Sequence, residues 1–382
     1  MERLYLDDTN GLYVDTRVMK CLSDHVLGYT LSFKPCCDMS SLSSLIKKSF
    51  VVGCNAVIQL SYESYAVIDR RRNVCIYSTH PIRLANNCKR LFSKCGLYSI
   101  DFSNIELDNV TDMTEMFYDM HGMGTIDFSN KDLSNVTSIK SMFQWSSVDK
   151  ISFENVRFKS LESAELAFDQ TGAKYLSFKN TTFDSRVDFS AMFFGINVEQ
   201  FTIDGLKANS VVGAKEMFNS AYFNDSTSIV LDLNGLHIVD DCEEDPTKSM
   251  FENTSVASIL LNSDIIKRFG NDTLKHIDRR TYYKLKIDGV PADYFAVCPF
   301  CNERLDTSHY CNEDENYDKS IECEECGASY TISDHESSGF IKRNNMRLPV
   351  KLIINTFEKP AIAEKITKEF FGRKSELENL FK

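Results

Sequence analysis

Asn109-Val110-Thr111-Asp112-Met113-Thr114-Glu115-Met116-Phe117 is the stretch whose reading decides the fold. Its apolar residues recur at every third place (Leu107, Val110, Met113, Met116), and its closing Met-Phe pair is one of a series. Leu91-Phe92, Met116-Phe117, Met142-Phe143, Ala167-Phe168, Met192-Phe193 and Met217-Phe218 set their Phe residues 25, 26, 25, 25 and 25 positions apart, and Met250-Phe251 follows after 33. Self-similarity at such a fixed period marks a stacked array, because each unit alone cannot cover its apolar edge. Arrays of this kind offer extended surfaces for binding.

The rest of each unit keeps the same phase. Eight or nine residues after each Phe an apolar-polar-apolar triplet recurs: Ile100-Asp101-Phe102, Ile126-Asp127-Phe128, Ile151-Ser152-Phe153, Leu176-Ser177-Phe178 and Phe201-Thr202-Ile203. Leu231-Asp232-Leu233 and Ile259-Leu260-Leu261 follow the same plan after an insertion. Period-two alternation predicts a short half-buried strand, and one such strand per unit builds a parallel sheet. A turn former stands two places beyond each triplet: Asn104, Asn130, Asn155, Asn180, Gly205 and Gly235. The period-three segment that follows predicts a short α or 3₁₀ helix with one buried face. The expected fold class is α/β: a leucine-rich-repeat-like solenoid with one short parallel strand and one short helix per ~25-residue repeat.

Residues 109–117, with Asn135-Val136-Thr137-Ser138-Ile139-Lys140-Ser141-Met142-Phe143, resemble the Asn-Val-Thr-x-Met-x-x-Met-Phe block of BspA-type leucine-rich repeats, also called DUF285 repeats. The resemblance covers about residues 87–263. It implies a solenoid, and its better-known members are secreted or surface-attached, which implies an adhesin-like role as one alternative.

The Met and Phe columns read as core. Chemistry or recognition falls instead to the triplet centres and their flanks, which alternation turns outward. The candidate partner-binding residues are Asp101, Asp127, Lys150, Ser152, Tyr175, Ser177, Thr202 and Asp232. These columns are polar and mixed in charge, with no basic stripe of the kind that grips nucleic acid.

The 382 residues are 43% hydrophobic and 26% charged with a net charge of −12, a globular composition ill suited to broad nucleic-acid binding. The start, Met1-Glu2-Arg3-Leu4-Tyr5-Leu6-Asp7-Asp8, lacks a basic and then apolar leader. No run approaches a bilayer-spanning length. Thirteen scattered cysteines, an odd number, do not read as a disulfide framework. These features predict a cytoplasmic protein, or one acting in a host cell's cytoplasm if phage-encoded.

Cys298-Pro299-Phe300-Cys301 and Cys323-Glu324-Glu325-Cys326 have the spacing of a structural zinc site. Four thiolates complete a tetrahedral shell with no open place for water. One structural Zn²⁺ on Cys298, Cys301, Cys323 and Cys326 is therefore expected, in a segment that resembles a zinc ribbon. The organisation read from the chain is a mixed α/β capping domain at 1–86, the solenoid at 87–263, and a cap or connector at 264–290. The zinc ribbon follows at 291–336, then a basic strand-helix tail at 337–382. Arg70-Arg71-Arg72-Asn73 is expected at a hairpin tip within the cap.

No phosphate-binding loop, dinucleotide turn, metalloprotease helix or serine elbow occurs. Cys21 and His25 form the single nominable nucleophile-base pair, and they lack an orienting third group. The expected function is non-enzymatic protein-protein recognition, an inhibitor or adaptor of a larger complex, with no membrane or small-molecule partner. The alternative is a nucleic-acid-associated regulator using the zinc ribbon and residues 340–382, which hold ten Lys or Arg against five Glu.

Overall fold

The computed structural model describes residues 12–22, 27–52, 54–61, 63–224, 226, 229–239, 246–254, 256–262 and 265, and the backbone of eight strands between residues 285 and 356. The chain divides into two units, residues 1–281 and 282–382.

In the first unit, strand β1 (Leu12–Val14) leads through Asp15 into helix α1 (Thr16–Leu22). Asp15 Oδ1 accepts from the Arg17 and Val18 amides at 2.8 and 3.1 Å, satisfying donors the helix start leaves open. Strand β2 (Thr30–Pro35) precedes helix α2 (Met39–Val52), capped in the same way by Asp38, which takes the Ser41 amide at 2.7 Å. Strands β3 (Ala56–Ser61), β4 (Ser64–Ile68) and β5 (Asn73–Ser78) form an antiparallel meander, and β6 (Ile82–Leu84) runs parallel to β1. The arginine turn sits at the β4–β5 tip. Asp69 closes it by accepting the Arg71 and Asn73 amides at 2.7 and 2.9 Å.

From β7 (Ser99–Ile100) the chain coils. In order come β8 (Met123–Asp127), β9 (Ser147–Ser152), β10 (Arg157–Phe158), β11 (Gly172–Ser177), β12 (Thr182–Phe183), β13 (Val187–Asp188), β14 (Asn197–Thr202), β15 (Lys207–Gly213), β16 (Tyr222–Phe223), β17 (Val230–Asp232), β18 (Leu236–Ile238) and β19 (Ser258–Leu261). The ladder β7-β8-β9-β11-β14-β16 is parallel throughout and continues through β2 into β5-β4-β3, one ten-stranded sheet. The cap at 1–86 therefore shares its sheet with the repeats instead of standing apart. Register follows the sequence period: Ile100, Ile126, Ile151, Leu176 and Phe201 lie side by side. A second parallel ladder joins β10, β12 and β15, with β13 and β18 both on β15. A third side is stitched by single bridges joining Asp112, Ser138, Ser163 and Asp188 in turn. The repeats thus form a β-solenoid of about six turns.

The helix expected in each repeat is not there; the fold is mostly β. The reason is local. Two residues in every coil, flanking the Met-Phe pair, take left-handed backbone: Glu115 and Asp119, Ser141 and Trp145, Leu166 and Gln170, Ala191 and Gly195. A right-handed helix cannot run through them. Alternate amides turn outward along the stack instead. Met113, Glu115, Phe117 and Asp119 donate to the carbonyls of Ser138, Lys140, Met142 and Gln144 in the next coil, at 2.8–3.0 Å, while Met116 and Tyr118 close tight turns onto Met113 and Glu115. Period three marks these turns, not a helix.

The core is a set of aromatic columns. Phe92, Phe117, Phe143, Phe168, Phe193, Phe218 and Phe251 stack ring on ring, with successive centroids 5.5, 4.8, 5.4, 5.6, 5.2 and 6.0 Å apart. Phe102, Phe128, Phe153 and Phe178 form a second column, 4.7–5.2 Å apart. All are buried, each side chain contributing about 1.5–3 kcal/mol by leaving water. Outside, Asn130, Asn155 and Asn180 each occupy a left-handed turn and form an amide ladder, Asn155 Nδ2 to Asn130 Oδ1 at 3.2 Å and Asn180 Nδ2 to Asn155 Oδ1 at 3.1 Å. Gly205 ends it: at φ +71°, a Cβ there would stand 2.6 Å from Asn180 Oδ1.

In the second unit, β20 (Leu285–Ile287) pairs antiparallel with β21 (Val290–Val297), which also pairs with β22 (Arg304–Leu305) and β27 (Ile353–Thr356). Strands β23 (Lys319–Glu322), β24 (Ser329–Ile332), β25 (Ser338–Arg343) and β26 (Met346–Lys351) form an antiparallel meander. Most of the connector 264–290, the four cysteines proposed for zinc, and the helical part of the basic tail lie outside the described residues.

Candidate interaction surface

The parallel register brings six of the eight candidate residues together. Lys150 pairs with Tyr175, while Asp127, Ser152, Ser177 and Thr202 follow one another across β8, β9, β11 and β14. Thr202 continues that line at the far strand. Asp101 lies just past β7 and is exposed, and Asp232 lies on β17, which pairs with β19 away from this sheet.

The group is organised around a residue absent from the candidate set. Glu154 Oε1 accepts from the Tyr175 hydroxyl at 2.6 Å and from Ser177 Oγ at 2.7 Å. Lys150 Nζ stands 5.5 Å from the centre of the Tyr175 ring and 3.5 Å from Asp127 Oδ2. Ser129 and Ser152 share a hydroxyl-hydroxyl bond of 2.7 Å. Ser152 and Ser177 are 1% and 0% exposed, so these two triplet centres are not offered to solvent as alternation suggests. Their short side chains sit among the longer Lys150, Glu154 and Tyr175 and are bonded beneath them.

Electrostatics fix the protonation state of this cluster. The Tyr175 and Ser177 hydroxyls hold the Glu154 carboxyl below its ordinary value. Burial works against ionising Asp127, but the Ser129 hydroxyl and amide and the Lys150 charge outweigh it and hold that carboxyl low as well. Burial first, then the Glu154 charge, pushes the Tyr175 phenol up. The face thus presents two carboxylates held ionised, an ammonium and a protonated phenol.

The edge after each Met-Phe pair has a different character. Trp145 is 46% exposed, adopts φ +60°, and lies 5.4 Å ring to ring from the half-buried Tyr118. Beside it, Gln144 Nε2 donates to Asp169 Oδ2 at 2.6 Å. Asp169 is buried and its Oδ1 has no partner; burial raises its pKa, partly offset by the Gln144 and Gln170 amides. Charges along this edge pair between coils: Arg90 with Glu115, Lys94 with Asp119, and Lys140 with Glu165.

A cleft of about 430 Å³ opens where β2 meets the first coil, lined by Leu27, Tyr29, Arg72, Tyr98 and His121 among others. His121 is already held by Asp119 at 3.0 Å. His25 lies outside the described residues, and so does any geometry of a Cys21-His25 pair. Burial pushes the Cys88 thiol up to about 12 and the Cys95 thiol to about 11. Among the described residues no cluster of His, Cys, Asp or Glu fits a metal, and no helix is long and apolar enough to cross a membrane.

No curated protein and no solved structure matches the chain. Residues 73–180, from β5 through the Asn180 turn, match the family model described as Mycoplasma protein of unknown function, DUF285, the family that residues 109–117 and 135–143 resemble.

Proposed function

We propose that the chain is a non-enzymatic recognition scaffold, an inhibitor or adaptor that binds a larger protein complex in a cytoplasm through the strand face around Lys150, Glu154 and Tyr175. One observation carries this reading. The exposed groups of that face are held by bonds that cross from coil to coil, so little conformational entropy remains to be lost when a partner docks. The stacked Phe columns beneath make the face rigid. The test is quantitative capture of binding proteins from the native cell with the full chain and with a Lys150→Glu/Tyr175→Ala variant of unchanged melting temperature. The reading expects specific binders to be lost from the variant; an identical captured set refutes it.

The same reading gives the second unit one structural zinc. One feature supports it: β21 pairs antiparallel with β22 and β23 with β24, and the sequence between the strands of each pair carries one C-x₂-C. Cys298, Cys301, Cys323 and Cys326 would supply four thiolates, a closed set that stabilises a small unit without offering a reactive metal. Elemental analysis is expected to find about one zinc per chain, lost on Cys301→Ser with Cys326→Ser. Metal-free protein that folds unchanged refutes it.

A further inference from the structure

The fold gives no reason for Trp145. The same place in the other coils holds Lys94, Asp119, Gln170, Gly195, Ser220 and Asn253, all in left-handed backbone and all glycine or polar. A bulky aromatic in that conformation is strained, and nearly half of this one faces solvent, so it adds little to the core. Strain retained at a surface for little burial in the core points outward to a ligand.

The surroundings define the ligand's chemistry. Tyr118 extends the indole into a two-ring apolar platform. The Trp145 Nε1–H and the Tyr118 hydroxyl give the platform polar edges that can donate. Gln144 has its nitrogen held by Asp169, which leaves its carbonyl oxygen as an oriented acceptor. The exposed charges alongside are paired as Lys94–Asp119 and Lys140–Glu165, and the Asp169 carboxylate is buried against Gln144, so the charges nearest the platform are compensated or withdrawn from solvent. An apolar platform rimmed by fixed neutral donors and acceptors matches a sugar ring, which has a flat C–H face and a hydroxyl edge.

We propose that the edge formed by Trp145, Tyr118 and Gln144 binds a neutral saccharide. The site is separate from the strand face around Lys150 and does not depend on that face having a protein partner.

Trp145 is the single tryptophan of the chain, so its emission reports this site alone. The full chain is titrated with maltohexaose, cellohexaose, chitohexaose and mannohexaose to about 10 mM, a range that captures weak binding. A saturable change with at least one is expected. Calorimetry with that sugar should show binding lost in Trp145→Asn, a residue the same turn already holds at Asn253, with the melting temperature kept. Tyr118→Ser should weaken binding roughly tenfold. The proposal is overturned if no sugar alters the emission. It is equally overturned if Trp145→Asn binds as before, or if the emission answers only to a charged or apolar peptide, which would make the edge a protein contact.

Discussion

Phe143→Ala tests the aromatic column at its middle. The ring is fully buried and stacks on Phe117 at 4.8 Å and 10° and on Phe168 at 5.4 Å and 15°, with Phe153 edge-on at 6.5 Å. Truncating a buried Phe costs about 3–5 kcal/mol, and packed aromatic pairs add about 0.5–1.5 kcal/mol each beyond area. Three such pairs put Phe143→Ala at the upper end, about 5 kcal/mol. Phe251, the last ring of the column, stands 6.0 Å from Phe218, a looser stack than Phe143 has on either side, so Phe251→Ala should cost less, about 3 kcal/mol. Phe143→Leu keeps much of the volume but loses the three ring pairs, and should cost less than Phe143→Ala, about 2–4 kcal/mol. Urea unfolding followed by circular dichroism reads the three midpoints, and the slope shows whether the array still unfolds as one unit. A Phe143→Ala cost below about 1 kcal/mol, or one equal to that of Phe251→Ala, refutes a continuous stacked column.

Other outcomes follow from the same geometry. Asn155→Ala loses both amide-ladder bonds and puts Ala, which tolerates left-handed backbone less well than Asn or Gly, at φ +57°, whereas Asn155→Gly loses the bonds alone; thermal melts should place Ala about 1 kcal/mol below Gly. Gly205→Ala meets Asn180 Oδ1 at 2.6 Å in left-handed backbone and should destabilise by about 1–2 kcal/mol, an effect that Asn180→Gly in the same chain should lessen. Glu154 has its folded pKa lowered by Tyr175 and Ser177, so its contribution is present above the unfolded value and is lost as pH falls through the folded one. In Tyr175→Phe, a carboxylate NMR titration should show Glu154 moving up towards its ordinary value. Asp169 is raised by burial, so ionising it costs stability as pH rises from the unfolded pKa to the folded one, and Asp169→Asn should stabilise the fold at neutral pH while leaving acid stability unchanged.

Much of this was legible in the amino-acid order, for identifiable reasons. A strand that must stack on its copy repeats its apolar alternation, so the Ile100, Ile126, Ile151 and Leu176 register is visible as a period. The Phe column shows itself in the same way. The left-handed pairs did not, because Glu115, Ser141, Leu166 and Ala191 share no side-chain feature; contacts with the next coil set their backbone, and only Gly195 and Asn253 hint at it. Without that clue, period three reads as helix. At the surface, Lys150 and Tyr175 were legible as neighbours because they occupy equivalent places. Glu154 as the hub is not legible there, because its bonds run diagonally, to residues 21 and 23 positions on instead of 25. Alternation assigns Ser152 and Ser177 a direction but takes no account of the length of the side chains around them.

Hydrogen exchange in the segments around Met116-Phe117, Met142-Phe143, Ala167-Phe168 and Met192-Phe193 tests the account most directly. Alternate amides there, those of Phe117, Phe143, Phe168 and Phe193 among them, donate to the next coil's carbonyls, so their exchange should require opening of the array and should be slow and alike in all four segments. Exchange there at free-peptide rates, while the flanking strands stay protected, would mean that these turns only drape over a core and that no stitched scaffold exists.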